Sequence, residues 1–222
     1  MNTIPISAER LSRARAKIYN AALRLFADNG GSAISVSDLA DAAGIARGTI
    51  YNNVTQPQNL LGEVAAALAQ EMLLRTEATM QAFADPAERL STGLRLFVRR
   101  AHEDHDWGRF LVQFTLSHVT LRSFMHDPPS RDVAHAVNSG RFKITASQIP
   151  TFVAMLAGTA IAAMNTVTRG EQTWRDAGSN AAEFLLRAGG IPVAEARRIA
   201  RSELPPLAAE QKTAKRKPRR NA

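Results

Sequence analysis

The sequence predicts an all-α protein with a small three-helix head followed by a larger α-helical body. Apolar residues recur at spacings of three and four along most of its 222 residues, as they do on one face of a helix. Glycine and proline residues interrupt this pattern at intervals that suit helix ends. We find no convincing alternation of apolar and polar residues and no internal repeat, so a sheet is not expected.

The first predicted helix spans about residues 8 to 29 and ends at Gly30 and Gly31. Its apolar positions share one face: Leu11, Ala14, Ile18, Ala22, Leu25 and Phe26. Basic residues cluster near its start: Arg10, Arg13, Arg15 and Lys17. They are able to meet nucleic-acid phosphates, and a solvated helix face explains each of them equally well.

Residues 35 to 54 have the pattern of two short helices joined by a tight turn. Ser35 and Asp38 stand at the spacing of a capping box, which predicts that a helix begins directly after the serine. Gly44 suits the left-handed conformation that ends this helix and turns the chain. The second helix follows at once and directs Ile50 inward. Such a pair presents side chains to a DNA major groove. A helical hairpin with a solvated polar face is the alternative.

The candidate DNA contacts lie at the start of the first of these helices and along the second. They are Ser35, Ser37, Arg47, Gly48, Thr49, Tyr51, Asn52 and Asn53. Arginine is able to bond guanine through two hydrogen bonds, and asparagine adenine. The tyrosine hydroxyl is able to reach a phosphate oxygen, and a glycine permits close approach of the backbone.

Residues 10 to 75 resemble the tetracycline-repressor (TetR) family of bacterial regulators. The likeness is carried by Ala21-Ala22-Leu23-Arg24-Leu25-Phe26, Gly30, Val36-Ser37-Asp38-Leu39-Ala40, Ala43-Gly44-Ile45, Gly48-Thr49-Ile50-Tyr51 and Leu60-Leu61. The resemblance implies a helix-turn-helix head that binds an operator in double-stranded DNA, and a body that binds a small-molecule effector. It also implies a homodimer, and most often a repressor.

The chain departs from the family pattern at three positions. Ala46 stands where Ser or Thr often caps the recognition helix, which removes a cap of about 1 kcal/mol. Val54 replaces a frequent aromatic residue. Pro57 stands where the family often has a lysine that reaches a phosphate, and the proline suits the first turn of the next helix. We expect these changes to affect the affinity and the geometry of the DNA site rather than the fold.

Three segments follow from this pattern: a head over residues 1–56 with the motif at 35–54, a body over 57–207, and a basic tail over 208–222. The net charge is +8, and residues 209–222 alone carry six basic groups and one acidic group. Such a run cannot bury apolar area, so we expect it to be disordered. It either keeps the protein soluble or adds non-specific attraction to DNA.

Helical periodicity continues through the body. The predicted spans are residues 58–83, 86–102, 107–124, 130–138, 150–168 and 173–188, with a short amphipathic helix before 202. In the 173–188 helix the positions expected to face inward are Trp174, Ala177, Ala181, Phe184, Leu185 and Ala188.

Residues 144 to 168 contain no charged group, which raises the alternative of a membrane span. Gln148, Pro150 and Asn165 argue against it, as does the fact that alanine is the most frequent residue of the segment. Small residues leave a second face that is able to pack closely. The helices around 150–168 and 173–188 therefore suit a four-helix bundle shared by two protomers, which is the usual dimer interface of the family.

Aromatic and methionine side chains of the body are candidates for an effector cavity between helices. They are Trp107, Phe110, Phe114, His118, Met125, Phe152 and Met155. Each is more often plain core than pocket lining. The mixture favours a largely apolar ligand and does not identify it.

Other functions have little support in the sequence. There is no cysteine, no nucleophile-elbow serine and no glycine-rich phosphate loop, so neither an enzyme nor a cofactor is indicated. His102, His105 and Asp106 lack a further metal ligand placed by the sequence.

The first twelve residues lack the apolar segment of a signal peptide, and we expect a cytoplasmic protein. Two alternatives stay open: a small-molecule-binding or catalytic helical protein whose motif no longer reads DNA, and a non-specific DNA-coating protein.

Overall fold

The computed structural model describes residues 8–29, 34–53, 60–117 and 128–209. Within those ranges the chain forms α-helices and no strand, which confirms the all-α prediction. The helices are α1 (Ala8–Asn29), α2 (Val36–Ala43), α3 (Arg47–Tyr51), α4 (Leu60–Met80), α5 (Pro86–Glu103), α6 (His105–Ser117), α7 (Pro128–Asn138), α8 (Ile149–Thr168), α9 (Trp174–Ala188) and α10 (Val193–Ala200). A 3-10 turn at Ala146–Gln148 precedes α8.

Most predicted helices are present, with shifted ends. The helix expected from residue 107 begins at His105, because the Asp104 side chain accepts a hydrogen bond of 3.1 Å from the Trp107 backbone N–H and so caps an earlier turn. Its predicted end at 124 falls outside the described residues. The helix α4 is shorter at its C-terminal end than predicted and stops at Met80.

The head is a three-helix unit with its own buried centre. Helix α1 packs on α2, and α2 packs on α3. Residues from all three helices are almost fully buried: Ile18, Ala21, Ala22, Phe26, Leu39, Ala40 and Ile50. Val64 of α4 is also fully buried, so the helix that leaves the head shares its core.

Helix α5 is the centre of the body. It packs against α9 and α8 most extensively and also against α4, α6, α7 and α10. Arg95 lies on its inner face with only 7% of its surface exposed, and burial lowers the pKa of this guanidinium. Its Nη2 donates a 2.6 Å hydrogen bond to the backbone carbonyl of Ser202, beyond the end of α10.

An arginine between α7 and the 3-10 turn ties two helix starts together. The Arg141 guanidinium contacts Asp85, the N-cap of α5, at 2.8 Å and Glu195 of α10 at 2.7 Å. Burial alone would raise the pKa of Asp85, but the hydrogen bonds from Arg141 and from the Ala87 N–H outweigh burial and lower it. Both carboxylates therefore remain charged partners of Arg141 at neutral pH.

The last described residues run back across α4. The Arg75 Nε donates a 2.8 Å hydrogen bond to the Ala208 carbonyl, and the Ala208 N–H donates one of 2.9 Å to the Thr79 hydroxyl. Leu204 and Leu207 are partly buried against the core. We call residues 203–209 the C-terminal strap. The predicted tail from 208 thus includes a residue held against α4, and residues 210–222 lie outside the described part of the chain.

Helices α8 and α9 pack side by side and keep an exposed apolar face. Phe184 was expected to face inward, and that prediction is wrong, since 63% of its surface is exposed. Ala188, also expected inward, is exposed. Ala177, Ala181 and Leu185 define the buried stripe of α9. Phe184 directly precedes Leu185, and successive residues of an α-helix are about 100° apart around its axis. The two side chains therefore point in different directions.

Among the described helices, the segment Ala146–Thr168 alone is long and apolar enough to cross a membrane by length and composition. Only 28% of that window is buried within the chain. The buried part of α8 packs on α5, α6 and α9. Its exposed part contains Met155 and Gly158 and continues the apolar face of α9.

Gly108 allows α6 to approach two other helices, and Gly108→Ala tests that approach. A Cβ there would lie 2.8 Å from the Cβ of Ala101 on α5 and 2.9 Å from the Cγ2 of Thr168 on α8. We expect the free energy of unfolding to fall by about 1–2 kcal/mol, because overpacking outweighs the better helix propensity of alanine.

The matched control is Gly48→Ala, since a Cβ at Gly48 would meet nothing within 4 Å. We expect that variant to be neutral or slightly stabilised. Thermal and denaturant unfolding followed by circular dichroism measures both. A Gly108→Ala protein as stable as the parent would contradict the tight packing described for α5, α6 and α8.

Candidate DNA interface and body cavity

Reciprocal hydrogen bonds fix the start of α2, as the sequence predicted. The Asp38 N–H donates to the Ser35 hydroxyl oxygen at 3.1 Å, and the Ser35 N–H donates to an Asp38 carboxylate oxygen at 3.0 Å. Hydrogen bonds from Ser35 lower the pKa of Asp38, so the cap stays ionised at neutral pH. Ser35 is exposed and Ser37 half-buried at the head surface.

The turn between α2 and α3 depends on a glycine. Gly44 has φ 61° and ψ 44°, the left-handed conformation that a side chain disfavours, and its N–H donates to carbonyls at the end of α2. The Ile45 N–H donates to the Ala40 carbonyl at 3.1 Å. From α1, the Arg24 guanidinium donates to the Ala42 carbonyl at 3.3 Å. These contacts set the angle at which α3 leaves α2.

Helix α3 is held by one buried residue and presents the rest to solvent. Ile50 is fully buried, whereas Arg47, Gly48, Tyr51 and Asn52 are exposed, with 53% of the tyrosine surface accessible. A Cβ at Gly48 would meet nothing, so the backbone there is open to close approach. As expected, the N-cap of α3 makes no side-chain hydrogen bond, because it is an alanine.

Asn53 and Thr49 differ from the other candidates. The Asn53 amide nitrogen donates a 2.7 Å hydrogen bond to the Thr49 carbonyl and thereby satisfies the end of α3. The Asn53 side-chain oxygen is buried and has no hydrogen-bond partner among the residues that the structure describes. Both residues are only half-exposed. The asparagine amide is thus engaged with the protein backbone, whereas Asn52 is exposed at the C-cap of α3.

Phe110 belongs to the junction between head and body. Its ring is fully buried in α6 and lies 5.1 Å from the ring of Phe26 in α1, edge to face at 87°. Helices α1 and α6 pack together around this pair. An aromatic pair in this geometry adds about 0.5–1.5 kcal/mol beyond its buried area. The sequence indicated a buried aromatic at this position but not that the head covers it.

The other residues expected around a cavity are not brought together. Trp107 is buried beside Phe97, and the Arg100 guanidinium lies 5.7 Å from its ring centroid. Met155 points to the surface with 40% of its area exposed. Phe152 alone of the described candidates lines a cavity. The structure does not describe the side chain of Phe114, and His118 and Met125 lie outside the described residues altogether.

A small cavity lies between α5, α8 and α9. It is lined by Leu90, Ser91, Leu94, Phe142, Phe152, Leu156, Ala182, Leu185 and Leu186. The volume of the cavity is about 10 Å³. By the same measure, a cavity needs about 10–15 Å³ to hold one water molecule. Ser91 is the single hydrogen-bonding side chain in this lining, and its buried hydroxyl has no hydrogen-bond partner in the described part of the chain.

The cavity lining carries no charged side chain, which selects against charged ligands. Ser91 was not among the residues predicted to line a cavity. The sequence did offer a signal for it, a serine at an inward position between Leu90 and Leu94, because a buried hydroxyl needs a hydrogen-bond partner.

The histidines considered for a metal site have other neighbours. The Nε2 of His105 lies 3.0 Å from the Thr168 carbonyl, and the ring of His102 lies 6.4 Å from Trp174. Among the described residues, no group of three or more His, Cys, Asp or Glu side chains could hold a metal ion.

Two family models match the chain in the parts described above. Residues 18–53 match the bacterial regulatory proteins of the tetR family, and residues 85–202 match the tetracyclin repressor-like C-terminal domain. The HTH-type transcriptional repressor KstR2 of Mycobacterium tuberculosis is 29% identical over 98 residues, 44% of this chain and 48% of that protein. The chain thus spans about half the length of the curated relatives it matches.

Solved structures with the same fold extend the similarity. RolR in complex with resorcinol is 28% identical with a TM-score of 0.70, over 91% of this chain and 100% of that one. FadR of Bacillus subtilis in complex with stearoyl-CoA is 18% identical with a TM-score of 0.61, over 80% and 99%, which shows the fold alone.

TetR-family regulators are soluble cytoplasmic proteins that bind DNA and small-molecule effectors and are generally not enzymes. The C-terminal model alone covers more than half of the 222 residues. The chain belongs to the TetR family of transcriptional regulators, with a tetR-family head that contains the helix-turn-helix and a tetracyclin repressor-like C-terminal domain.

Proposed function

We propose that the protein is a ligand-responsive repressor that binds an approximately palindromic operator as a homodimer. The observation that carries this proposal is the geometry of α3, which buries Ile50 and leaves Arg47, Gly48, Tyr51 and Asn52 exposed on one short helix. Two such helices related by a two-fold axis would enter successive major grooves, which requires a symmetric site. The repressor function named for KstR2 supports repression over activation.

The exposed residues of α3 have complementary chemistry for DNA. Arg47 suits a guanine edge, and the Tyr51 hydroxyl suits a phosphate oxygen. Gly48 lets the backbone approach without a steric clash. The Asn53 amide is already bonded to a backbone carbonyl, so we assign adenine readout to Asn52 rather than to Asn53.

Replacing Tyr51 with alanine tests the DNA interface. A pool of random duplexes selected with the parent protein supplies the operator, and fluorescence anisotropy compares it with a scrambled duplex. We expect Tyr51→Ala and Arg47→Ala each to lower affinity for the selected duplex about tenfold or more, and to leave the fold intact because both side chains are exposed.

Arg201→Ala is the matched control for Arg47→Ala, because it removes the same charge from an exposed position after α10. It should leave specific affinity unchanged. If selection enriched no sequence, or if both α3 variants bound like the parent, the repressor proposal would fail. The alternative of a small-molecule-binding helical protein that no longer reads DNA would then be favoured.

The proposed dimer interface is the exposed apolar face of α8 and α9. Phe184 and Met155 lie there with 63% and 40% of their surfaces exposed. Gly158 is also exposed, and a Cβ on it would meet nothing within the chain, so a second helix is able to approach closely. Two protomers would join this face as a four-helix bundle. We interpret the apolar exposure of α8 as a subunit contact rather than a lipid contact.

Phe184→Asp tests the interface. Placing a carboxylate in an apolar contact costs more than a dimer of this kind can tolerate, so we expect monomers in sedimentation velocity and weaker operator binding. Leu74→Asp is the control, because Leu74 of α4 has 62% of its surface exposed and lies outside this face. A Phe184→Asp protein that remained dimeric would exclude this face as the interface.

We propose that the effector enters the cavity beside Ser91. The apolar lining and the buried Ser91 hydroxyl suit a small neutral molecule that carries a hydroxyl group. The resorcinol bound to RolR supports this class of ligand. Because the cavity has room for about one water molecule, a ligand must separate α5 from α8 and α9. That movement would alter the paired helices of the dimer and hence the spacing of the two α3 helices.

Resorcinol and stearoyl-CoA are the two probes for this site. We expect resorcinol to raise Tm and release operator DNA, and stearoyl-CoA to do neither, because no cation lines the cavity. Ser91→Ala should weaken resorcinol binding about fivefold, the effect of a lost hydrogen bond, without lowering the Tm of the free protein. Equal Tm shifts in the parent and Ser91→Ala, or none with resorcinol, would overturn the assignment.

A further inference from the structure

We propose that the C-terminal strap transmits movement at the effector cavity to α4, the helix that leads into the DNA-binding head. This inference rests on the proposed function, in which a ligand separates α5 from α8 and α9, and it adds the route by which that separation reaches the head. The connection runs from Ser202, which is held by α5, to Ala208, which is held by α4. Packed side chains and hydrogen bonds of this kind carry energetic coupling between distant sites.

The first end of this connection lies one helical turn from the effector cavity. Arg95 follows Ser91 by four residues on α5, so the two side chains lie on the same face of that helix. On the facing helix α9, Gly178 precedes the cavity residue Ala182 by the same interval. A Cβ at Gly178 would lie 3.5 Å from the Cγ of Arg95. A ligand that pushes α5 away from α9 at the cavity therefore also displaces Arg95.

The guanidinium of Arg95 holds the residue that precedes the strap. Its Nη2 donates a hydrogen bond of 2.6 Å to the Ser202 carbonyl, and its Nη1 donates one of 3.4 Å to the Ser202 hydroxyl. Leaving a buried cation without its acceptors is costly. Ser202 is thus expected to follow α5 when α5 moves.

The strap itself is short and stiff. Ala208 follows Ser202 by six residues, which span at most about 20 Å when fully extended. Pro205 and Pro206 each fix φ at about −65°, and proline-rich segments act as semi-rigid spacers. The leucine on each side of this pair is partly buried against the core. A spacer of this kind passes a displacement on instead of absorbing it.

The far end of the strap is bound to α4 through its backbone. The Ala208 carbonyl accepts a 2.8 Å hydrogen bond from Arg75 Nε, and the Ala208 N–H donates one of 2.9 Å to the Thr79 hydroxyl. That hydroxyl donates at 3.0 Å to the Arg75 carbonyl, and the Arg75 guanidinium donates at 3.2 Å to Glu71. The same helix contributes Val64 to the core of the head. A displacement of Ala208 thus acts on the helix that enters the head.

Direct packing of α5 on α4 is the competing route. At Gly93 of α5 the two helices approach so closely that a Cβ would lie 2.9 Å from the sulfur of Met80 on α4. The strap takes no part in that contact. A substitution of Thr79 that releases Ala208 therefore separates the two routes.

The first test needs neither ligand nor DNA. Ala182→Val adds two methyl groups to a cavity with room for about one water molecule, and it should force α5 and α9 apart. We expect hydrogen exchange of the Ala208 N–H, measured by NMR on the full chain, to accelerate about threefold or more. Ser91→Thr adds one methyl group to the same cavity and is the milder second variant.

Gly108→Ala is the matched control for Ala182→Val. It overpacks the contact of α6 with Ala101 and Thr168, which does not involve the strap. We expect it to leave the exchange rate of the Ala208 N–H within about twofold of the parent.

The second test asks whether the displacement passes through the contact between strap and α4. Thr79→Val keeps the shape of the side chain and removes the hydroxyl that holds Ala208, whereas Thr79→Ser keeps the hydroxyl. In the parent and in Thr79→Ser, we expect Ala182→Val to lower affinity for the selected operator about fivefold in fluorescence anisotropy. In Thr79→Val, the same substitution should change that affinity by less than about twofold.

Equal exchange rates at Ala208 in Ala182→Val and Gly108→Ala would overturn the proposal. A loss of operator affinity that persists in the Thr79→Val background would also overturn it, and would assign transmission to the direct packing of α5 on α4. Failure of the proposed function would appear differently, as no selected operator at all. The exchange measurement would still decide whether the cavity acts on the strap.

Discussion

The contact between Phe26 and Phe110 decides whether the molecule works as one unit. It joins the first helix of the head to α6 of the body, with the two rings edge to face at 5.1 Å and both almost fully buried. Helices α1 and α6 pack together around this pair, and α4 also contacts both α1 and the body. A regulator that responds to events in its body needs α3 to be held in a defined position relative to that body. The aromatic pair supplies such an attachment with one side chain from the head and one from the body.

Local features of the sequence predicted local structure well. Ser35 with Asp38, and Gly44, are each defined by residues within a few positions, and the structure shows their hydrogen bonds and dihedral angles. Helix ends governed by such contacts are accessible to sequence reasoning because no distant partner is involved. The early start of α6 is the exception: the Asp104 side chain accepts a hydrogen bond from the Trp107 N–H, and this cap was not predicted from the sequence.

Predictions that needed a distant partner were less successful. Periodicity showed that Phe110 and Phe184 lie on apolar faces, but it cannot tell which element covers a face. The head covers Phe110, and nothing within the described chain covers Phe184. The same reason explains the cavity. Ser91 becomes notable only when three helices converge around it and none of them offers a hydrogen-bond partner. The engagement of Asn53 with Thr49 likewise depends on the rotamer at the end of a five-residue helix.

The buried arginine of α5 places a limit on how short the protein can become. Arg95 retains its positive charge at any physiological pH, and the carbonyl and hydroxyl of Ser202 accept its hydrogen bonds. Trimming by a carboxypeptidase up to residue 203 would leave those acceptors in place. Loss of the next residue would strand an unsolvated cation in the core, so such fragments should be unfolded and degraded. Arg95 thus ties survival of the whole body to a single residue near its C-terminal boundary.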